Sequence, residues 1–403
     1  MSEKINILLV CSKYMPEYSG AGFRAHNLYK RLTAAHQEIS LKVLCGSETE
    51  NTLLTYEHDG FSINRISCKK YPVLSKGMMR FFQISRNFQA EYSQTLKYLE
   101  SLPEKPDLIH VFGKNYVNAA ALDYAAKQNI PSIIELVCEM NTPFQFVPFP
   151  NRLFVSDKFP DRCKVVCISE KLHEVCLSAG IEDRKIWTRL NPVNEKIFYP
   201  VDGKKKNELR AKNSKFSGKD ILIAYVAKFR PSKNHGFLID VLKKLPENYK
   251  LFIKGPLVNS GPLEKRDRNY FEGLGRKIKE YKLEDRVELQ SGFAENVGEL
   301  YQMSDIYAFP SEQEGLGTPV LESLACAVPV VACRIPGVTD IMVNDGANGF
   351  LSELKEDEFA AKIQEAAGFT FEKRSSEADK IIKIAGTSVV DQKYYSVISE
   401  LTE

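Results

Sequence analysis

The residues of this 403-residue chain whose types and spacing could do chemistry together are two glutamates, two glycines and three cations. Glu314-Gly315-Leu316-Gly317-Thr318-Pro319 stands between a short apolar run, Ile306 to Phe309, and a second one, Val320 to Ala327. Glycine lets backbone approach a ligand with no Cβ in the way. Thr318 is a good N-cap and Pro319 suits the first helical position, so the spacing predicts a helix over 320–327. The free N–H groups and positive dipole end of such a helix attract an anion. Glu314 precedes the glycines, and Glu322 falls in the first helical turn of this reading. Carboxylates do not grip phosphate, but they accept hydrogen bonds from sugar hydroxyls. Phosphate held by backbone with carboxylates beside it suits a nucleotide-sugar. Taken alone, two glutamates eight apart are equally consistent with Glu322 merely complementing a helix dipole.

The cations follow another apolar run, Ile221 to Ala227, in the sequence Ala227-Lys228-Phe229-Arg230-Pro231-Ser232-Lys233. Two lysines five apart at a strand end can reach one diphosphate, with Arg230 beside them. By themselves they would be ordinary surface charge.

The block Pro310-Ser311-x-x-Glu314-Gly315-x-Gly317-x-Pro319-x-x-Glu322-Ser323, followed by small residues and Pro329-Val330-Val331-Ala332, resembles the signature of the family 4 (group 1) glycosyltransferases. These are retaining nucleotide-sugar transferases of GT-B fold. The resemblance implies an α/β protein of two Rossmann-like, doubly wound parallel-sheet domains facing across a cleft. A C-terminal helix would cross back to the first domain. It assigns 1–200 and about 387–403 to the acceptor side, and 201–386 to nucleotide-sugar binding. It implies a UDP-sugar or similar donor, with Lys228, Lys233 and Glu314 as catalytic residues. Gly20, Gly22, Arg230, Gly315, Leu316, Gly317, Thr318 and Glu322 join them in binding the donor. The relatives' usual Gly-Arg is Ala227-Lys228 here, which keeps the charge but loses the guanidinium fork. Many relatives carry a strand-end histidine where this chain has Val137. On the acceptor side the candidates are His110, Glu135 and Glu139. The acceptor would be a glycan or lipid-linked hydroxyl, in cell-surface polysaccharide or glycoconjugate synthesis. No cofactor is implied and no obligatory metal, there being no Asp-x-Asp in the chain.

The elements that must position these residues are legible as apolar runs. Strands are predicted at Ile5 to Cys11, Leu41 to Cys45, Phe61 to Ile66, Leu108 to Phe112, Ser132 to Val137, Lys164 to Ile168 and Ile186 to Leu190. A second series is predicted at Ile221 to Ala227, Lys250 to Lys254, Val287 to Leu289, Ile306 to Phe309 and Val328 to Cys333. Helical stretches separate most of them, which implies mostly parallel sheets. Ala21 to Leu32 and Val389 to Leu401 read as helices. Residues 203–219 hold seven Lys or Arg and one acid without apolar periodicity, and read as a solvated connector.

Gly20-Ala21-Gly22-Phe23-Arg24-Ala25 also matches G-x-G-x-x-A, so a nicotinamide-dependent oxidoreductase is one rival reading; the long loop before it counts against that. A non-catalytic sugar-nucleotide-binding protein is another. Residues 60–90 carry six Lys or Arg and no acid, interleaved with aromatics and methionines. They suit either an anionic membrane surface or a helix with a solvated basic rim. The formal net charge of +3 implies no nucleic-acid partner. Nine cysteines without a Cys-x-x-Cys pair read as free thiols in a reducing cytoplasm. No apolar run reaches transmembrane length, and the N-terminal run is too short for a signal-peptide core. The expected location is therefore cytoplasmic, with possible peripheral attachment to the inner face of the membrane.

Overall fold

A computed structural model describes residues 4–17, 19–47, 54–68, 72–73, 78–136, 142–144, 146–149, 151–257, 264–314 and 316–403. The chain divides into two compact units, Met1–Arg189 with Asp391–Glu403, and Leu190–Val390.

The first unit runs β1 (Ile5–Cys11), α1 (Gly20–Ala35), β2 (Ile39–Gly46), β3 (Thr55–His58), β4 (Phe61–Ile66), α2 (Met78–Glu100), β5 (Leu108–Phe112), α3 (Tyr116–Gln128), β6 (Ser132–Leu136), β7 (Cys163–Cys167), α4 (Glu170–Ser178) and β8 (Ile186–Thr188). Its sheet order is β3-β4-β2-β1-β5-β6-β7-β8. Among the described residues every pairing is parallel except the β3–β4 hairpin. The central strands are buried on both faces, as in Leu8, Leu9 and Val10 of β1. That is why they read as unbroken apolar runs.

The second unit contains α5 (Gly203–Asn213), β9 (Ile221–Val226), α6 (His235–Leu242), β10 (Tyr249–Gly255), α7 (Glu264–Glu280), β11 (Val287–Ser291), α8 (Val297–Gln302), β12 (Ile306–Phe309), α9 (Thr318–Ala325), β13 (Val330–Cys333), β14 (Gly349–Ser352), α10 (Glu356–Ala367) and α11 (Phe371–Ala385). Its six strands are parallel in the order β11-β10-β9-β12-β13-β14. The chain winds outward from β9 one way, then from β12 the other. The β9–β12 seam is thus the point where the strand order reverses. In open α/β sheets, ligands bind beyond the carboxyl ends of the strands at such a point. The last helix, α12 (Thr387–Thr402), starts in this unit and belongs to the first from Asp391 onward.

Two expectations need correction. Residues 203–219 are not a bare connector, since 203–213 form α5, capped by Asp202, whose Oδ1 accepts from Lys205 N at 2.8 Å. The inward face of α5 carries Leu209 and Arg210, and the buried Arg210 guanidinium donates to Met303 O, Ser217 O, Asp220 O and Asp305 Oδ2. A cation with all its donors satisfied can be buried, and it leaves no hydrophobic period to read. Residues 190–200, expected with the first domain, pack in the second: Val193 and Phe198 join its core, and Val193 N donates to Ala385 O at 2.7 Å.

Candidate active site of the second unit

The loops after β9 and β12 meet across the seam. Beyond β9 the chain makes a one-turn helix, Pro231–Lys233, and then enters the left-handed region at Asn234 (φ 52°) before α6. Asn234 Nδ2 reaches across to Pro310 O at 3.0 Å and to Glu312 Oε2 at 3.2 Å. Tyr225, buried on β9, donates its hydroxyl to Lys233 O at 2.7 Å and lies 3.2 Å from the buried Ser311 hydroxyl. These bonds sew the two loops together. They put Lys233 and Glu314, 81 positions apart in sequence, in direct ion pair. Both side chains are largely covered, with 23 % and 15 % exposed. Lys228 is exposed at the same strand end. Arg230 turns Nε toward the fully buried Asp267 carboxylate, 3.5 Å away, which Arg266 also binds at 2.7 and 2.8 Å.

The start of α9 differs from the sequence reading. The N-cap is Gly317 (φ 55°), not Thr318, and it makes no side-chain cap bond. Thr318 is the first helical residue, and its Oγ1 accepts from Asn191 Nδ2 at 2.7 Å. Gly317 is required twice over. Its φ lies where L side chains are strained, and a Cβ would stand 3.1 Å from Met342 Cε and 3.2 Å from Val338 Cγ1. In the first turn of α9, Pro319 has no N–H and Val320 N donates to Gly317 O at 2.8 Å, which leaves the Thr318 N–H for an anion. Glu322 is the fifth helical residue rather than part of the first turn. Tyr301 donates to its Oε2 at 3.0 Å, and burial pushes the carboxyl up to about 7. The helix also ends two residues early, at Ala325. Leu316 is half-buried beside this turn; Gly315 lies outside the described residues.

The first-unit candidates fall elsewhere. Gly20 opens α1, and a Cβ there would meet nothing within 4 Å. Gly22 is needed for packing, because a Cβ would stand 2.4 Å from Lys13 O. Its N–H is taken by the Ser19 cap at 2.9 Å, so Gly22 has no amide to offer a phosphate. Eight residues separate β1 from α1, unlike the tight turn a nicotinamide site needs.

His110 and Glu135 do not face outward. Both are buried in a network in which Tyr29 hydroxyl lies 2.7 Å from His110 Nδ1, and Arg189 Nη2 donates to Glu135 Oε2 at 3.0 Å. Tyr394 of α12 donates to Glu135 Oε1, which also faces His110 Nε2 at 3.4 Å. Burial would raise the Glu135 carboxyl, but Arg189, followed by His110 and Tyr394, holds it below the usual range. Burial lowers His110. Val137 and Glu139 lie outside the described residues.

Sequence reasoning placed Ser311 only within the signature and missed the parts played by Tyr225, Asn234, Asn191 and Tyr301, which hold the site candidates in place. None carries a spacing signal, because each acts across the fold. It also missed a concavity of about 480 Å³ beyond β5, lined by Lys114, Asn115, Tyr116 at the start of α3, and by Phe146, Pro148 and Arg152. Large apolar side chains stand exposed close by in sequence at Phe149, Leu153 and Phe154.

Two parallel, doubly wound units, one with paired charges at its switch point, define a GT-B protein. The solved structures agree on the fold. HepE of Anabaena in complex with UDP and glucose superposes with a TM-score of 0.67 at 18 % identity, over 98 % of this chain and 99 % of that one. A glycosyltransferase from Rickettsia africae superposes with a TM-score of 0.71 at 18 % identity, over 99 % of each. Residues 205–378 match the family described as glycosyl transferases group 1. Among curated relatives, the uncharacterized glycosyltransferase MJ1178 of Methanocaldococcus jannaschii is 26 % identical over 352 residues, 86 % of this chain and 84 % of that protein. The N-acetyl-alpha-D-glucosaminyl L-malate synthase of Bacillus anthracis is 27 % identical over 255 residues, 62 % of each.

Proposed function

We propose that this protein is a retaining glycosyltransferase moving a sugar from a nucleotide-diphosphate donor, UDP-sugar first, to a glycan or lipid-linked hydroxyl. The observation that carries the reading is the Lys233–Glu314 pair, set beside the Gly317 turn at the β9–β12 switch point. Lys233 and Lys228, with the Thr318 amide at the start of α9, stabilise the diphosphate as negative charge builds on it during bond breaking. Arg230 adds positive charge at the rim. Glu314 accepts hydrogen bonds from the sugar hydroxyls, and Glu322 from the ribose. The acceptor hydroxyl attacks from the face the leaving group departs, and a phosphate oxygen takes its proton. Removing one lysine costs about 10²-fold or more in rate. Transfer needs no metal, so a chelator leaves the initial rate unchanged.

The acceptor side of this reading rests on the first unit's concavity and the exposed Phe149, Leu153 and Phe154, which suit an acceptor with an apolar portion. The start of α2 supports peripheral attachment to an anionic membrane. Met79, Phe81 and Phe82 are exposed there with Arg80 and Arg86. Buried Arg65 is no part of that surface, since it packs on Tyr56 and its Nη2 donates to the Tyr56 hydroxyl at 2.7 Å. Lys69, Lys70 and Lys76 lie outside the described residues. Among those described, no helix is long and apolar enough to cross a membrane. Sedimentation with anionic vesicles that Phe81→Ser/Phe82→Ser abolishes would support attachment.

The deciding experiment is a thermal-shift panel of UDP, GDP and ADP, their sugars, and NAD(P), repeated on Lys233→Ala and Glu314→Ala. Stabilisation by one nucleotide class, weakened for its sugar by both substitutions, is the expected result. Sugar-nucleotide binding without turnover on any acceptor would favour a binding protein. A response to NAD(P) alone would favour the oxidoreductase.

A further inference from the structure

We propose that His26, His58 and Asp59 of the first unit bind a divalent transition-metal cation such as Zn²⁺ or Co²⁺. His26 is a buried residue of α1, His58 ends β3, and Asp59 is the first residue of the turn into β4. Asp59 (φ 49°) and Gly60 (φ 79°) are both left-handed, the pattern of a tight two-residue hairpin. This turn aims the histidine and the aspartate at α1. One donor atom from each residue lies within 4.8 Å of the others. His26 Nε2 and Asp59 Oδ2 are 3.3 Å apart. Two ligands bound at 2.0–2.1 Å around a tetrahedral Zn²⁺ stand roughly 3.3–3.4 Å apart. Two imidazoles and one carboxylate make a donor set that suits zinc, cobalt or nickel and leaves a position for water.

A second observation points the same way. The hydroxyl of the buried Tyr14 lies 2.8 Å from His26 Nδ1 and fixes the ring with Nε2 toward the cluster. Metal-ligating imidazoles are held by their other nitrogen in this manner. On metal binding the ring proton must sit on Nδ1 and be donated to Tyr14, whose hydroxyl can serve as donor or acceptor. The site has a built-in competitor, because Lys30 Nζ holds Asp59 Oδ2 at 2.6 Å. Lys30 is 59 % exposed and can swing into solvent as the cation takes its place.

Tyr14 comes from the loop after β1, but the turn that supplies Asp59 lies elsewhere. β4 runs parallel to β2 and begins at Phe61, so the turn before it is at the amino-terminal edge of the sheet. Ligands of open α/β sheets bind at the opposite edge. The metal would clip the edge hairpin to α1, and it can be assayed independently of sugar transfer.

The test uses the full, tag-free chain stripped with a chelator. Co²⁺ is titrated by visible absorption, Zn²⁺ by competition, and thermal unfolding is followed alongside. We expect one saturable equivalent with the bands of a four- or five-coordinate nitrogen–oxygen site. His58→Ala and Asp59→Asn should each weaken binding at least 10-fold, and Lys30→Ala should tighten it severalfold. Asn keeps the left-handed turn, so Asp59→Asn removes the ligand charge without disturbing the hairpin. Zn²⁺ should raise the melting temperature of the parent chain and not of His58→Ala. No saturable equivalent, or binding untouched by both substitutions, would overturn the assignment. So would a strong near-ultraviolet thiolate band, which would put the metal on cysteine.

Discussion

On the proposed reading, Glu314 neutralises Lys233, the cation a diphosphate would take, until a donor binds. Converting Glu314 to Gln therefore has opposite effects on nucleotide and nucleotide-sugar. At 4 Å and an effective dielectric near 20, the gross attraction of such a pair is about 4 kcal/mol. Desolvation and side-chain ordering cut this to about 0.2–1 kcal/mol for exposed pairs, whereas breaking a buried one costs about 3–5. With 23 % and 15 % exposed, Lys233 and Glu314 lie between these limits, and about 1–2 kcal/mol is the reasonable value. A diphosphate that must displace Glu314 forfeits that much. Glu314→Gln should thus bind the free nucleoside diphosphate roughly 5- to 30-fold tighter, at about 1.4 kcal/mol per tenfold. The nucleotide-sugar also loses hydrogen bonds to a charged acceptor, worth about 1.5–3 kcal/mol. Its affinity should stay level or fall, and turnover should drop. Titration calorimetry on the parent chain, Glu314→Gln, Lys233→Ala and the double variant gives the cycle directly. If Glu314→Gln weakens nucleoside diphosphate as much as its sugar, Glu314 holds Lys233 in place for phosphate, and the competition argument fails.

Three further outcomes follow from the charges. Glu322 has its carboxyl raised to about 7 by burial, so its contribution to stability is present below about pH 4.5 and lost as pH rises through 7. Glu322→Gln should raise the melting temperature at pH 8 by the equivalent of about 2–3 kcal/mol while leaving pH 5 nearly unchanged. If Glu322 holds the ribose, the substitution also removes a rise in donor affinity between pH 6 and 8. Glu195 is the reverse case. Burial opposes its charge, but Thr387, through both hydroxyl and N–H, and Ser388 N–H hold the carboxyl down at about 2. Its stabilisation is present above about pH 4.5 and lost as pH falls toward 2. Glu195→Gln should cost about 1–2 kcal/mol at pH 7, discounted for solvent exposure, in urea unfolding. Glu135→Ala leaves Arg189 buried without its carboxylate and should cost about 3–5 kcal/mol. An acceptor-binding Glu135 would instead change acceptor KM at near-constant stability.

Much of the fold is written locally. Buried parallel strands must be apolar along their whole length, so β1, β5 and β12 stand in the sequence with their observed ends, while β4 shows the alternation of a strand with one face less buried. Glycine and proline mark the loop before α9 because only they suit its dihedrals and missing donors. β3 and β14 escaped because each is four residues long and lies at a sheet edge, too short to show a period. α5 escaped because its buried face is partly an arginine. The family signature located Glu314, Glu322 and Lys233, but not their state. That Glu314 faces Lys233, that Glu322 is desolvated beneath Tyr301, and that His110 and Glu135 are sealed behind Tyr394 depend on which strands are neighbours and which helix covers them. Periodicity and spacing record what each residue needs from its own backbone. The partner it meets across 81 or 259 positions is set by the order in which the strands wind, and that order exists only in the folded chain.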